Sequence, residues 1–595
     1  MSRQQKKNTF FGGAAILTMG IVLVKIIGAI YKIPLGNMLT EEAYGDFNGA
    51  YNIYNFFLTI STAGLPVALS KTVSEANALG RRNQVNRTFR VAFSAFLFMG
   101  VFSFLCMSVF GQQVATHVIS NEKAVYCIRA LSPAVLCTCC CSAFRGYAQG
   151  HMNMVPTAVS QIIEAVCKLF VGLALAGIIM RMNIQPKDLG DRMVAAGAIA
   201  GVSVGSILSV LFLAVQHMKG RRRQKRSNDR PERSDTILAR LLILAIPITL
   251  SSCTTSIVTL IDTNLVMDQL QTVFTGIQGG LYEVSGGIMG IYDKAVALFQ
   301  NNVAAMHATP TAEIEPVLDS ARHLYGIYGK AMNPYNLPFS LMIPLTACIV
   351  PAVSACIAQR NRRGATRIVE SALRMASLIA FPAGFGLFAL GGPIMGLLYP
   401  TSDQTIGGPL LSILGLASIF VCLQLVGTSI LQAYGIVNLP IITVLIGGIV
   451  KIAVNYALVG NPAIMIIGAP VGTLCCFAVV SCMNLFIIKR VIPHPPRYLE
   501  TFVKPLMASV LMAAAAWGSH GLLDRLLRGL QIFWKVNQAG EEYFSYAGSA
   551  LATLMSVAIG GIVYLILVLV FRVISKEDLE LMPKGEKIAR LLRIR

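Results

Sequence analysis

Charged side chains are scarce in this sequence. Only 13% of its 595 residues are Asp, Glu, Lys or Arg, about half the share found in a typical soluble domain, whereas 55% are hydrophobic. Apolar runs of about 20 residues recur along the chain, and each is long enough to cross a bilayer as an α-helix. The composition excludes an ordinary soluble protein and predicts an all-α, polytopic membrane protein.

Catalytic motifs are absent as well. The sequence contains no G-x-x-x-x-G-K-[ST] phosphate loop, no H-E-x-x-H helix and no G-x-S-x-G nucleophile turn. The only acidic cluster in a long polar segment is Glu313, Glu315 and Asp319, which we interpret as a solvated helix start. We therefore expect no enzymatic activity, no metal centre, and no cofactor other than a coupling Na⁺ or H⁺.

Cysteine-rich polar loops are also missing. The fourteen cysteines lie in or beside apolar segments, which argues against a disulfide framework. Four of them cluster at Cys137, Cys139, Cys140 and Cys141. We interpret this cluster as small, polarisable residues at a helix–helix contact rather than as a soft-metal site.

The apolar runs predict fourteen membrane-spanning helices. They lie at 11–33, 47–70, 89–111, 125–147, 156–180, 194–216, 238–266, 333–357, 370–391, 407–432, 440–459, 464–488, 503–520 and 548–571. The loops on one side carry most of the lysines and arginines, which predicts that this side and both termini are cytoplasmic. No small-residue cleavage site follows the basic N-terminus, so we expect the first helix to be retained.

Two similar halves make up most of the chain. Four residues of one stretch recur later with an offset of 283 to 285 residues, and each stretch ends in a lysine within an apolar segment. The pairs are Gly150 and Gly435, Asn153 and Asn438, Pro156 and Pro440, and Lys168 and Lys451. Because each half has an even number of spans, we expect two six-helix lobes related by a pseudo-twofold axis along the membrane normal.

This duplication predicts the domain organisation. The parts are an N-terminal lobe at 1–217, a basic cytoplasmic linker at 218–237, a C-terminal lobe at 238–490 with an outer insertion at 267–330, two appended helices within 491–572, and a cytoplasmic tail at 573–595. The insertion is either an outer helical hairpin or a re-entrant segment. The run KGRRRQKR is interpreted as part of the linker, and no nucleic-acid partner is expected.

Ionisable residues inside predicted spans are candidate functional residues, because a charge at the bilayer centre costs about 2.5–3.5 kcal/mol on insertion scales. The basic candidates are Lys25, Arg129, Lys168 and Lys451, and the acidic ones are Glu164 and Asp262. Basic residues outnumber acidic ones in this set, so we expect an anionic substrate. Lys32 lies at a helix end, where it either joins the substrate site or extends to the interface.

Alternative interpretations remain for four of these residues. Glu164 and Lys168 are four residues apart and either neutralise each other or both line a cavity. Arg129 is placed near enough to the outer surface for either an interfacial or a ligand-binding role. Asp262 either caps an outer helix end or, with Asn455, supplies oxygen ligands for a coupling cation.

Three stretches resemble a known family. They are AYGDFNGAYNIYNFFLTISTAGLPVALSKTVSEANALGRR, the pair IRALSPAVL and FRGYAQGHMNMVPTAVSQIIEA, and LYGIYGKAMNPYNLPFSLMIPL. They resemble the stage V sporulation protein B-like polysaccharide exporters, which belong to the multidrug/oligosaccharidyl-lipid/polysaccharide flippase superfamily. The resemblance implies fourteen helices, a central cavity, and outward flipping of an undecaprenyl-diphosphate-linked saccharide by a monomer in the bacterial plasma membrane.

The resemblance also implies roles for particular residues. Lys25, followed by Ile26, Ile27 and Gly28, and Lys32 are similar to the family's first-helix basic motif, whose cations contact the diphosphate. Asp262 and Asn455 are similar to its cation site. The saccharide is either a peptidoglycan precursor or a polysaccharide repeat unit.

Three other functions stay open from the sequence. A cation-coupled multidrug exporter of the same superfamily would need an acid-lined cavity. A membrane glycosyltransferase would need a catalytic acidic cluster in a large loop. A non-transporting scaffold for envelope or spore assembly would have no need to retain lysines such as Lys25 and Lys451 within its spans.

Overall fold

The computed structural model describes residues 3–151, 153–222, 229–282, 290–308, 315–436, 438–492, 495–529, 534–536 and 542–573. These residues are almost entirely helical. The chain divides into two compact units, Met1–Gly326 and Ile327–Arg595, here called unit 1 and unit 2. The predicted boundary between the lobes is the linker at 218–237, whereas the two units divide after Gly326. Residues 238–326, which the sequence assigns to the C-terminal lobe, therefore fall in unit 1. The symmetry of the lobes stays a prediction.

The described residues of unit 1 form ten complete helices and the start of an eleventh. They are α1 Arg3–Met38, α2 Glu41–Thr62, α3 Leu65–Ala78, α4 Arg82–Ser108, α5 Gly111–Ile119, α6 Val125–Gly150, α7 Val155–Arg181, α8 Lys187–Arg222, α9 Ser234–Gln278, α10 Ile291–Ala308 and α11 Pro316–Ala358. A 3₁₀ turn, Glu122–Ala124, precedes α6. Thr40 caps α2 by accepting a hydrogen bond from the Ala43 amide, and Glu41 and Glu42 occupy its positively polarised first turn.

The predicted span at 47–70 is two helices, because the chain breaks at Ala63 and Gly64. At this break α9 approaches so closely that a Cβ on Gly64 would lie 2.1 Å from the Ala245 carbonyl oxygen. Pro66 then stands in the first turn of α3, where its missing N–H costs nothing. A glycine and a proline at a close helix crossing therefore set the junction between α2 and α3.

Unit 2 contains the rest of α11 and seven further helices. These are α12 Arg362–Ala389, α13 Gly391–Leu398, α14 Gln404–Ala433, α15 Asn438–Val459, α16 Gly468–Val491, α17 Tyr498–Arg528 and α18 Tyr546–Val570. A short antiparallel hairpin, β1 Trp534–Val536 and β2 Glu542–Phe544, lies between α17 and α18 and pairs Trp534 with Phe544. No pattern in the sequence predicted this hairpin.

Eleven helical stretches in the described part of the chain are long and apolar enough to cross a membrane. The predicted spans at 11–33, 238–266 and 333–357 fall in α1, α9 and α11, which are not among the eleven. The multi-pass, all-α class is therefore confirmed, apart from the small hairpin. The count of fourteen stays a prediction.

The segment at 267–330 differs from its predicted form. Helix α9 continues twelve residues beyond 266, and α11 begins at Pro316, well before 333. Between them lies α10, while residues 283–289 and 309–314 are outside the described part. In its described residues the segment thus consists of α10 and the extensions of two long helices on either side of it. The predicted cytoplasmic tail lies outside the described residues from 574 onward.

Small residues bring the helices of unit 1 close together. A Cβ on Gly201 of α8 would lie 2.5 Å from the backbone of Gly172 on α7. Such contacts replace the hydrophobic driving force that is missing between helices in lipid. The same region holds a buried cluster that includes Tyr31, Tyr44 and Phe47, so α1 and α2 are fixed against it.

Candidate functional site

Three lysines of unit 1 share one region of the structure. Lys25 and Lys32 are two helical turns apart on α1, and they therefore lie on the same side of that helix. Lys168 lies on α7, and its ammonium contacts the ring of Tyr31, the residue that precedes Lys32 on α1. The structure thus brings together three of the predicted substrate-binding residues, which we call the lysine cluster.

Two tyrosines hold the Lys168 ammonium in place. Its Nζ donates a hydrogen bond of 3.2 Å to the Tyr51 hydroxyl and lies 4.6 Å from the centre of the Tyr51 ring. It also lies 4.8 Å from the centre of the fully buried Tyr31 ring, whose hydroxyl donates to the Ala198 carbonyl at 3.0 Å. Aromatic faces attract a cation without neutralising it, so the charge stays available to a ligand.

Glu164 does not neutralise Lys168, so that interpretation is wrong. Arg145 on α6 takes the carboxylate instead, with 2.8 Å between its Nη2 and Glu164 Oε1, and its Nε donates to Ser160 Oγ at 2.9 Å. The sequence analysis missed Arg145, although an arginine inside the predicted span at 125–147 was a usable signal. Within the described part of the chain, the lysine cluster therefore has no carboxylate at ion-pair distance.

Arg129 is exposed near the start of α6 and is separate from the contacts of the lysine cluster. Its aliphatic stem lies beside Gly111, the first residue of α5. An exposed guanidinium whose stem packs on an adjacent helix fits the interfacial alternative better than the ligand-binding one.

Asp262 is buried within α9, which continues for sixteen residues to Gln278. The alternative in which it caps a helix end is therefore wrong. Its neighbour Thr263 accepts hydrogen bonds from Asn52 Nδ2 at 3.0 Å and from the Tyr325 hydroxyl at 3.3 Å. The carboxylate thus stands beside a polar group that links α2, α9 and α11.

Lys451 and Asn455 lie one turn apart on α15 of unit 2, and both are buried. Helix α16 approaches Asn455 so closely that a Cβ on Gly472 would lie 1.8 Å from Asn455 Oδ1. A buried lysine and a buried amide on one helix face are consistent with a functional site. Their predicted roles in substrate and cation binding stay predictions.

A second set of charges in unit 1 was missed by the sequence analysis. It contains three acidic and three basic residues from α2, the 3₁₀ turn, α8 and α11: Asp46, Lys123, Asp188, Arg192, Asp319 and Arg322. We call this set the ion-pair network. All six residues lie in segments that the sequence predicts as loops on one side of the membrane, and the structure brings these segments together.

The ion-pair network is centred on Arg322, of which only 1% is exposed. Its Nε donates to Asp46 Oδ1 at 2.8 Å, and its Nη1 lies 3.5 Å from Asp188. Lys123 Nζ lies 2.8 Å from Asp319, which is 8% exposed. Asp319 is therefore buried and ion-paired, and its interpretation as a solvated helix start is wrong. The ion pair matters because a buried charge without a partner would be very costly.

The charges in this network compensate one another. Burial alone would lower the pKa of Arg322, but the carboxylates of Asp46, Asp319 and Asp188 outweigh that effect and raise it. Arg192 pairs with Asp188, and Asn121 donates to Asp46 at 2.8 Å. With equal numbers of acids and bases in contact, the network has no surplus charge to attract a ligand.

Comparison with known proteins places the chain in a family. The family described as "Polysaccharide biosynthesis protein" matches residues 10–356, more than half of the chain. This chain belongs to that family. The family described as "Lipid II flippase MurJ" matches residues 325–536. Membership confirms the resemblance to polysaccharide exporters noted from the sequence.

Individual relatives match nearly the whole of this chain. Stage V sporulation protein B of Bacillus subtilis is 24% identical over 97% of this chain and 98% of its own length. Lipid II flippase MurJ of the same organism is 22% identical over 93% of this chain and 94% of its own length. A solved structure of lipid II flippase MurJ in an inward closed conformation matches with a TM-score of 0.58 at 15% identity, over 94% of this chain and 98% of that one. The last match shows a shared fold.

Proposed function

We propose that this protein is a flippase for an undecaprenyl-diphosphate-linked saccharide, which it moves from the inner to the outer leaflet by alternating access. The observation that carries the proposal is the lysine cluster, whose positive charge has no carboxylate partner in the described part of unit 1. The relatives named as flippases support the transport class, and an enzymatic function has no support among them.

The lysine cluster suits a diphosphate because several cations converge on one anion. At an effective dielectric constant near 20 and a separation of about 4 Å, each lysine–phosphate charge pair is worth on the order of 4 kcal/mol before desolvation. Like charges inside a membrane protein repel one another until an anion binds. The state of the site would then depend on substrate, as alternating access requires.

The driving force need not come from ATP. Moving one negative charge outward across 100 mV, inside negative, is favourable by about 2.3 kcal/mol, and a diphosphate carries about two such charges. Asp262 and Asn455 would bind Na⁺ or H⁺ if transport is also coupled to a cation. Lys451 remains a further substrate contact proposed from the sequence.

A reconstituted flipping assay tests the function. Liposomes containing the protein and a fluorescent polyprenyl-diphosphate saccharide should show transfer between leaflets for wild type and for Lys71→Ala, which removes an exposed lysine of α3. Lys25→Ala and Lys451→Ala should abolish transfer while the amount of inserted protein stays the same. Normal transfer by both variants would refute the proposed site, and transfer of cationic drugs alone would favour the multidrug alternative.

A further inference from the structure

A groove of about 1210 Å³ runs along the surface of unit 1 between α4 and α9. One end is polar and contains Arg87, Arg90 and Ser94 of α4 together with Ser234 and Asp235 of α9. The rest is apolar. Its lining there includes Phe98, Met99, Leu238, Leu242, Ile246 and Leu250.

The spacing of these residues aligns the polar and apolar parts along one axis. Arg87, Arg90, Ser94 and Phe98 follow one another at intervals of three or four residues, so they lie on one face of α4. On α9 the apolar lining from Leu238 to Leu250 covers twelve residues, or about 18 Å at 1.5 Å per residue. That length is close to the roughly 15 Å of one leaflet of a 30 Å hydrocarbon core.

The polar end is fixed by contacts with the segment before α9. Asp229 caps α4, because its carboxylate accepts hydrogen bonds from the Asn83 and Gln84 amides at 3.0 and 2.8 Å. Ser234 Oγ accepts from Arg87 Nε at 3.3 Å and from Nη2 at 3.2 Å. The groove entrance is therefore held by the end of the basic linker, on the side that the charge bias predicts to be cytoplasmic.

The polar end carries surplus positive charge. Asp235 is the one acid in the lining and is paired with Arg233 at 3.3 Å, outside the groove. Arg87 contacts a hydroxyl, and Arg90 is exposed. Among the described residues neither arginine has a carboxylate at ion-pair distance. An anionic group at this end would therefore meet two guanidinium groups one turn apart.

We propose that this groove binds an anionic glycerophospholipid, with its phosphate at Arg87 and Arg90 and one acyl chain along α9 to Leu250. Arginine pairs well with phosphate, and basic pockets between membrane helices on the cytoplasmic side suit anionic headgroups. This site is separate from the lysine cluster and does not depend on the proposed transport function. A lipid bound here would hold α4 against α9, the helix that also carries Asp262.

Native mass spectrometry of the full-length protein tests the proposal. Wild type should retain one phosphatidylglycerol in preference to phosphatidylcholine. Arg87→Gln/Arg90→Gln should bind it roughly thirtyfold more weakly, from about 1 kcal/mol for each arginine. The matched control Arg362→Gln/Arg363→Gln removes two exposed arginines at the start of α12 and should bind like wild type. Equal loss in both double variants would overturn the proposal.

Two further variants separate the groove from surface charge. Ile246→Trp fills the apolar part without changing any charge and should also weaken phosphatidylglycerol binding, whereas Arg87→Lys/Arg90→Lys should keep most of it. Glycerol phosphate, which has the headgroup charge but no acyl chain, should not compete. Unchanged binding by Ile246→Trp, or competition by glycerol phosphate, would show that only a surface phosphate site exists and would refute the groove.

Discussion

The lysine cluster and the ion-pair network are both groups of charges within unit 1, but they differ in balance. In the network, three acids meet three bases, and the central guanidinium is almost fully buried. In the cluster, Lys168 contacts two tyrosines, and the nearest acid on α7, Glu164, is paired with Arg145. Compensated charges stabilise a fold, whereas surplus like charges cost stability until a ligand arrives. From this difference we infer that the ion-pair network stabilises the fold and that the lysine cluster binds the ligand.

The largest expected effect is on the network. Arg322→Met leaves Asp46 without its cation and Asp319 with Lys123 alone, and an uncompensated buried charge costs about 3–5 kcal/mol. We expect the free energy of unfolding in detergent, measured by chemical denaturation, to fall by that amount. Asp46→Asn/Arg322→Met should recover part of it. A single variant as stable as wild type would show that the network is not structural.

Removing a lysine of the cluster should have the opposite effect: the stability should change little and the binding of the ligand should weaken. Lys168→Gln deletes one charge from a group that repels itself, so stability should stay within about 1 kcal/mol of wild type. Binding of a diphosphate-linked lipid should weaken by about 1.5–3 kcal/mol, the usual worth of a hydrogen bond to a charged group. Titration in detergent measures both quantities. A destabilised variant with normal binding would reverse the assignment of the two groups.

A third prediction concerns the ion pair between Glu164 and Arg145, next to the lysine cluster. Glu164→Gln leaves Arg145 without its carboxylate and adds net positive charge next to the cluster. Because both side chains keep some contact with solvent, with 11% of Arg145 and 24% of Glu164 exposed, we expect a stability loss of about 1–2 kcal/mol. Substrate affinity should be unchanged or higher. Weaker binding would mean that Glu164 itself contacts substrate, as the sequence analysis allowed.

The smallest effect concerns the tyrosine support. Tyr51→Phe keeps the ring below Lys168 but removes the hydroxyl that accepts its hydrogen bond. We expect affinity for the diphosphate-linked lipid to change by about 0.5–1.5 kcal/mol, the net worth of one hydrogen bond. Tyr51→Leu, which also removes the aromatic face, should cost more. Equal effects of the two variants would show that the hydroxyl plays no part.

The sequence predicted the helices well where hydrophobicity alone decides them, as in α7, α14 and α16. It failed where tertiary contacts decide. The break at Gly64 depends on the approach of Ala245, nearly two hundred residues away, and α9 runs past Asp262 because its polar residues there are buried against neighbours rather than solvated. Neither effect leaves a local pattern.

The same division holds for the charges. Lys25, Lys32 and Lys168 stood out because each interrupts an apolar run. Arg322 and Lys123 lie in segments that looked like ordinary polar loops, and most of their partners are 65 to 276 residues away in the chain. Among the six residues of the network, the local pairs are Asp319 with Arg322, three residues apart, and Asp188 with Arg192, four residues apart. A long-range ion-pair network cannot be recognised from one sequence, because its evidence is spatial.

Our central claim is that the uncompensated positive charge of the lysine cluster binds the diphosphate. The most direct test compares two ligands that differ in one phosphate. Polyprenyl lipids with the same saccharide and tail, one linked by a diphosphate and one by a monophosphate, would be titrated into wild type and Lys25→Gln/Lys168→Gln. We predict that wild type prefers the diphosphate at least about tenfold, a difference of about 1.4 kcal/mol, and that the double variant loses this preference. Equal affinity of wild type for the two lipids would contradict the central claim.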